Sequence, residues 1–172
     1  MLYNFLISLV DQFSALNVFR YLTFRTGLSV ISSMAIVFLI GGPFIKFIDE
    51  SYNANPLSMA SAINNMKHYK RKSNAKKLIF LGDMLELGKK SYKLHKNLSN
   101  IINKSDIDKV FVYGKYIKET FNSLSTNKKG KVFNNLDEAH LHFSKILNNN
   151  DLLMVKGSNA TRLNEFSKNI KR

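Results

Sequence analysis

The sequence predicts an α/β fold with a mostly parallel sheet, preceded by an interfacial helix and one transmembrane helix. Three observations predict it. From residue 48 onward, short apolar runs alternate with helical patterns, as consecutive βαβ units require. Three of those runs end on a glycine, at Gly82, Gly114 and Gly157, where a sharp turn or a close approach at the end of a parallel strand favours one. Every long uncharged apolar stretch lies before residue 48.

Taken in order, residues 1–25 begin with Leu2, Phe5, Leu6, Leu9, Val10 and Phe13 at helical spacing, while Asp11, Gln12 and Ser14 face elsewhere. That pattern predicts an amphipathic helix lying in a membrane interface. Residues 26–47 form the predicted span. Thr26 to Ile45 are 20 residues without a charge, and at about 1.5 Å per residue they reach roughly 30 Å, the hydrocarbon thickness of a bilayer. A cleaved signal peptide fits poorly, because the run starts at residue 26 and no small-x-small site closes it. A buried soluble helix is the other reading, and 20 uncharged residues is long for one. Lys46, Lys67, Lys70, Arg71 and Lys72 after the span outnumber Arg20 and Arg25 before it, so residues 49–172 are expected on the cytoplasmic side.

The third segment, residues 48–172, is expected to hold strands at Phe47–Asp49, Lys77–Leu81, Lys109–Tyr113, Lys131–Phe133 and Leu152–Lys156. Helices are expected at Pro56–Lys70, Lys89–Asn103, Lys115–Ser123, Leu136–Leu147 and Ala160–Lys171. Asn55 before Pro56 has the form of an N-cap followed by proline at the first helical position.

Composition narrows the chemistry. The 172 residues contain 26 Lys plus Arg against 12 Asp plus Glu, a net charge of +14, and no cysteine. Disulfides, thiolate metal sites and cysteine nucleophiles are therefore excluded. A basic balance invites a nucleic-acid reading. Only five of the 26 bases are Arg, however, and the chain carries 20 Asn. That mix describes a solvated basic surface rather than a phosphate- or guanine-reading one. No nucleic-acid partner is expected.

Ligands of parallel sheets bind at the carboxyl ends of the strands, and three polar clusters fall there: Asp49-Glu50-Ser51-Tyr52-Asn53-Ala54-Asn55-Pro56, then Leu81-Gly82-Asp83-Met84-Leu85-Glu86-Leu87-Gly88 with His95 seven residues on, then Val155-Lys156-Gly157-Ser158-Asn159-Ala160. Each has a plain structural reading. The first is equally a capped turn, the second a loop packed on Met84, Leu85 and Leu87, and His95 a satisfied helix residue.

In this order and spacing, DESYNANP, LGDMLELG with its following His and VKGSNAT resemble the C-terminal domain of the Mur ligases, most closely the MurF-type branch that adds D-alanyl-D-alanine to UDP-MurNAc-tripeptide. The resemblance covers essentially all of residues 48–172 and implies a Rossmann-like domain that closes over ATP held elsewhere. ATP and magnesium, an acyl phosphate and a role in peptidoglycan precursor synthesis are likewise implied. By that resemblance Asp49, Ser51, Asn53 and Asn55 would face the nucleotide. Asp83, Glu86 and His95 would line the substrate cleft, where Lys156, Gly157 and Ser158 would help position substrate. Glu50 stands where the family commonly has a second Asp. A cation and a hydroxyl suit an anionic acyl phosphate. No catalytic residue and no metal ligand set is expected in this chain, and no G-x-x-x-x-G-K-[ST] occurs in it, so no phosphate cradle is present to support phosphoryl transfer. Turnover by this chain alone is not expected, and nucleotide and D-Ala-D-Ala binding would be weak.

FSALNVFRYLTFR, Phe13 to Arg25, and the Gly41-Gly42-Pro43-Phe44-Ile45 turn-off are similar to the start of the phospho-N-acetylmuramoyl-pentapeptide translocases of MraY type. That likeness stops near residue 45, and no active-site residue of that family has a counterpart. It implies a bacterial inner-membrane location through residues 26–45 and nearness to other peptidoglycan-synthesis proteins. Phe44, Ile45, Phe47 and Ile48 would have to be both the end of a membrane helix and the start of a sheet, with no linker between. A membrane-tethered accessory domain and a chimeric reading frame are the two accounts of that junction.

Overall fold

A computed structural model describes residues 45–72 and 74–170. The chain divides after Pro43, and all described residues fall in the second unit, Phe44–Arg172. The interfacial helix and nearly all of the expected membrane span lie outside the described residues. Among the described residues no helix is long and apolar enough to cross a membrane.

Five strands, β1 (Lys46–Glu50), β2 (Lys77–Gly82), β3 (Lys109–Tyr113), β4 (Lys129–Phe133) and β5 (Leu152–Lys156), form one sheet in the order β1-β5-β2-β3-β4. All pairings are parallel, with Ile48 beside Met154, Ile79 beside Met154 and Phe80 beside Phe111. The central strands β2 and β5 are buried at every position, which is why they read as continuous apolar runs rather than alternating ones. The helices are α1 (Pro56–Asn65), α2 (Ser91–Lys104), α3 (Lys118–Asn122), α4 (Leu136–Ile146) and α5 (Leu163–Ile170).

The sheet has two unlike faces. One packs Ile79, Leu81, Val110, Val112 and Met154 against α1 and α2 through Met59, Ile63, Leu98 and Ile102. The other packs Leu78, Phe80, Phe111, Leu153 and Val155 against α4 and α5. Its centre is an aromatic cluster in which Phe80 meets Phe133, Phe143 and Phe166 at 4.9–5.5 Å between ring centroids, the offset and edge-on spacing that aromatic rings prefer.

Four expected boundaries are corrected. Lys46 and Phe47, placed in the membrane span, belong to β1. There Phe47 packs on the aromatic face and Ile48 on the aliphatic face, the alternation of a strand between two covered faces. Helix α1 ends at Asn65 instead of Lys70, giving way to a 3-10 turn at Met66–His68. The buried Lys77 ammonium takes the Met66 carbonyl at 2.8 Å and also pairs with Asp106. Helix α3 begins at Lys118 rather than Lys115, and the amides of residues 115–117 ahead of it donate to Asp83. Strand β4 starts at Lys129, two residues early, after a 3-10 turn at Thr126–Lys128. The Lys128 ammonium donates to the Ser105 and Ile107 carbonyls there, and burial lowers its pKa.

Candidate functional site

The order of the strands decides where polar groups converge. Strands β1 and β2 both leave the sheet toward the aliphatic face, while β5, lying between them, leaves toward the aromatic face. Adjacent strands whose chains exit to opposite faces open a crevice at their carboxyl ends. The loops after β1, β2 and β5 are the three clusters singled out in the sequence, so the topology brings together segments more than 30 and more than 70 residues apart.

Lys156, the last residue of β5, lies beside Glu50 in the sheet. The residue is 3% exposed. The ammonium donates to the Asn53 carbonyl at 2.9 Å and pairs with Glu50 Oε2 at 3.1 Å. A buried ammonium needs such partners, because an unpaired one costs several kcal/mol. Lys156 thus holds the β1–α1 loop in place. The same loop is tied at its start by Asp49 Oδ1, which accepts from the Ser51 amide and hydroxyl at 3.2 and 2.6 Å. Ser51 is buried and also meets the Ser167 hydroxyl of α5. Asn55 is an N-cap in a reciprocal capping box: its side chain accepts from the Ser58 amide at 2.8 Å and the Ser58 hydroxyl accepts from the Asn55 amide at 3.1 Å. Of the residues expected to face a nucleotide, Asn53 turns its amide outward to solvent, beside a Tyr52 ring that is 80% exposed.

The β2 loop is built differently. The Asp83 carboxylate, nearly buried, accepts from the amides of Lys115, Tyr116 and Ile117 at 2.8, 2.9 and 2.7 Å. It caps the start of the α3 region from another strand's loop. Gly114 permits this: its φ is 142°, and a Cβ there would stand 2.6 Å from the carboxylate. His95 is fully buried in α2. Its Nε2 accepts from the Met84 amide at 2.9 Å, so its Nδ1 carries the proton donated to the Ser91 carbonyl at 2.7 Å. Burial holds its pKa below the ordinary value, against smaller opposing effects of the Ser91 carbonyl and Asp83. His95 therefore supports the Asp83–Met84 backbone from beneath instead of lining a cleft. Glu86 is exposed and sits at a left-handed φ of 62°.

The β5 loop joins the other two. The Ser158 amide donates to the Asp83 carbonyl at 3.1 Å, and its hydroxyl accepts from the Leu85 amide at 3.1 Å. Gly157 and Gly82 lie back to back under Leu163. A Cβ on either would come within 2.8 Å of the Leu163 side chain, so their role is close packing of α5 on the sheet.

Sequence reasoning overlooked Thr120, a fully buried hydroxyl donating to the His95 carbonyl at 2.6 Å, and Ser167. Nothing local marks either. The burial of His95 was legible, because His95, Leu98 and Ile102 share the core-facing spacing of α2.

The edge does not by itself suit a nucleotide with its metal. Three of its carboxylates are engaged, Asp83 by three amides, Glu50 by Lys156 and Asp49 by Ser51, which leaves Glu86 exposed. No group of three or more His, Asp or Glu among the described residues could hold a metal ion.

Comparison with known proteins agrees with this architecture. The family described as "Mur ligase, glutamate ligase domain" matches residues 38–159. The chain is 31% identical over 121 residues to the UDP-N-acetylmuramoyl-tripeptide--D-alanyl-D-alanine ligase of Rickettsia prowazekii, covering 70% of this chain and 26% of that protein. A separate 57-residue match, 58% identical, is to the phospho-N-acetylmuramoyl-pentapeptide-transferase of Pelagibacter ubique, covering 33% of this chain and 16% of that one. The crystal structure of MurF ligase from Thermotoga maritima in complex with ADP has the same fold, with a TM-score of 0.57 and 23% identity over 74% of this chain and 29% of that one. The chain spans about a quarter of the length of the curated ligases it matches.

Proposed function

The chain belongs to the Mur ligase family through its glutamate ligase domain, and from that premise we propose that it is the closing domain of a MurF-type ligase acting in peptidoglycan precursor synthesis. In this reading its carboxyl edge meets an ATP-binding domain that lies outside these 172 residues. Catalysis needs all three loops at once, since the β1 loop would meet the nucleotide and the β5 and β2 loops the substrate peptide. The observation that carries the reading is their convergence at the switch point, with Lys156 linking the β1 and β5 loops and Ser158 linking β5 to β2. The side chains that remain outward there, Asn53, Glu86 and Tyr52, are those available to substrate or partner. ATP and magnesium would be held by the ATP-binding domain, and phosphoryl transfer is not assigned to residues 48–172.

The test is incubation of the full chain with ATP, magnesium, UDP-MurNAc-tripeptide and D-Ala-D-Ala. Phosphate release should stay at background. Release above it would overturn the proposal that this chain lacks turnover alone.

A second reading is favoured by the 57-residue match to a translocase. In it the domain is tethered at the bacterial inner membrane through residues 26–45, with residues 49–172 in the cytoplasm as an accessory near the translocase. The full chain would then stay with bilayers through a carbonate wash, and release into the supernatant would rule the tether out.

A further inference from the structure

The opposite, amino-terminal edge of the sheet has a cationic pocket that the ligase reading does not use. Strands β2, β3 and β4 are each entered through a lysine: Lys76 just before β2, Lys109 opening β3 and Lys129 opening β4. The parallel register sets Leu78 beside Lys109. Alternation then puts Lys76 with Leu78, and Lys109 with Phe111, on the aromatic face. Between these residues and Ile146 and His142 of α4 is a cavity of about 310 Å³, bordered along β4 by Lys129 and Gly130. No aspartate or glutamate lines it.

The ordinary explanation for lysines here is that they offset the carbonyl end of a helix. At α4 that role is already filled. The Phe143 carbonyl accepts from the Leu147 amide at 3.1 Å, and the Ile146 carbonyl accepts from the Asn148 side chain at 3.1 Å. Lys129 sends its ammonium to the Asn122 carbonyl and over the Phe121 ring. Lys109 spends one donor on the Lys129 carbonyl at 3.1 Å and keeps two. The Lys76 ammonium has no hydrogen-bond or ion-pair partner among the described residues. His142 stands over Phe111 and Phe133, at 5.5 and 5.4 Å between ring centroids. Burial, with Lys131 and Lys145 nearby, lowers its pKa against the opposing effect of Glu138, which favours the neutral imidazole with one N–H to donate.

We infer that this pocket binds a small organic anion, a phosphate monoester bearing an apolar or aromatic group. The Lys76 and Lys109 ammoniums and the His142 imidazole would meet the phosphate oxygens, and Leu78, Phe111 and Ile146 would meet the apolar part. The volume falls at the lower end of small-molecule sites. Gly130 belongs to the design, because a Cβ there would stand 2.7 Å from the Phe111 ring that floors the pocket.

The test titrates phenyl phosphate into the full chain and follows the His142 imidazole resonances by NMR, with inorganic phosphate and phenol as separate titrants. Saturable binding that moves His142 is expected, with phenyl phosphate binding more tightly than either fragment. Lys76→Ala, which breaks no side-chain hydrogen bond or ion pair, should weaken binding about threefold, and Lys76→Glu with Lys109→Glu about tenfold. Lys93→Glu with Lys96→Glu, on the exposed side of α2, changes net charge equally and should weaken it less than about twofold. An equal loss from the α2 pair would overturn the site in favour of general charge attraction. So would an unmoved His142, or inorganic phosphate binding as tightly as phenyl phosphate.

Discussion

The loops after β1 and β2 lie at the same edge of the sheet and are held in opposite ways. In the β2 loop polar groups turn inward: Asp83 serves three amides of another loop, His95 holds Met84 from below and Ser158 ties Leu85. In the β1 loop the backbone is pinned through Lys156, Asp49 and the Asn55 cap, while Tyr52 and Asn53 turn outward. The family motifs in both therefore mix two roles. Most of their polar residues build the framework, and a few exposed side chains are left for recognition.

This contrast is broken most severely at Asp83. Replacing it with Ala leaves three amides, that of Ile117 buried, without their acceptor, and a loss of about 3 kcal/mol is expected in denaturant unfolding. Lys156→Ala should cost less, about 2–3 kcal/mol, because Glu50 is partly exposed and can be solvated. Its distinguishing effect should be local, with hydrogen exchange accelerated at residues 51–55 and unchanged at 83–86.

Acid should separate the loops next. His95 is folded as the neutral form with its pKa below 6.5. Below the ordinary histidine value the unfolded chain takes up a proton that the native chain refuses. Stability is thus highest above about pH 7 and falls as pH drops through and below about 6.5. His140 and His142, also lowered by burial, add to the same slope. A His95→Gln variant should show a shallower loss in unfolding midpoints between pH 8 and 5; an unchanged slope would remove His95 from the framework.

The smallest effects distinguish cap from contact. Asn55→Ala should cost about 1 kcal/mol through loss of the capping box. Asn53→Ala should stay within about 0.5 kcal/mol, because its exposed side chain holds nothing. A large loss at Asn53 would mean that the outward group is structural after all.

Much of this architecture was legible in the sequence. All five strands and the Asn55-Pro56 helix start follow from apolar runs and turn residues, which are local signals. The pairings that define the edge are not local. Nothing in the spacing of Asp83 and the Lys115–Ile117 amides, more than 30 residues apart, announces that one caps the other. The resemblance alone gave Lys156 a place near substrate, and the Lys-Gly-Ser turn does not reveal whether its ammonium faces solvent or lies under another loop. The strand at Lys46–Glu50 was half assigned to a membrane helix because an apolar Phe-Ile run satisfies either environment until its neighbour, β5, is known.

The central claim, that this domain closes the site of a MurF-type ligase, is tested most directly by mixing. The full chain would be combined with a D-Ala-D-Ala-adding ligase truncated before its own C-terminal domain, and phosphate release measured with ATP, magnesium, UDP-MurNAc-tripeptide and D-Ala-D-Ala. Release that requires both polypeptides, and that falls with Asn53→Ala while the fold is kept, is the predicted result. Release from the truncated ligase that is unaltered by adding the chain at any concentration would contradict it.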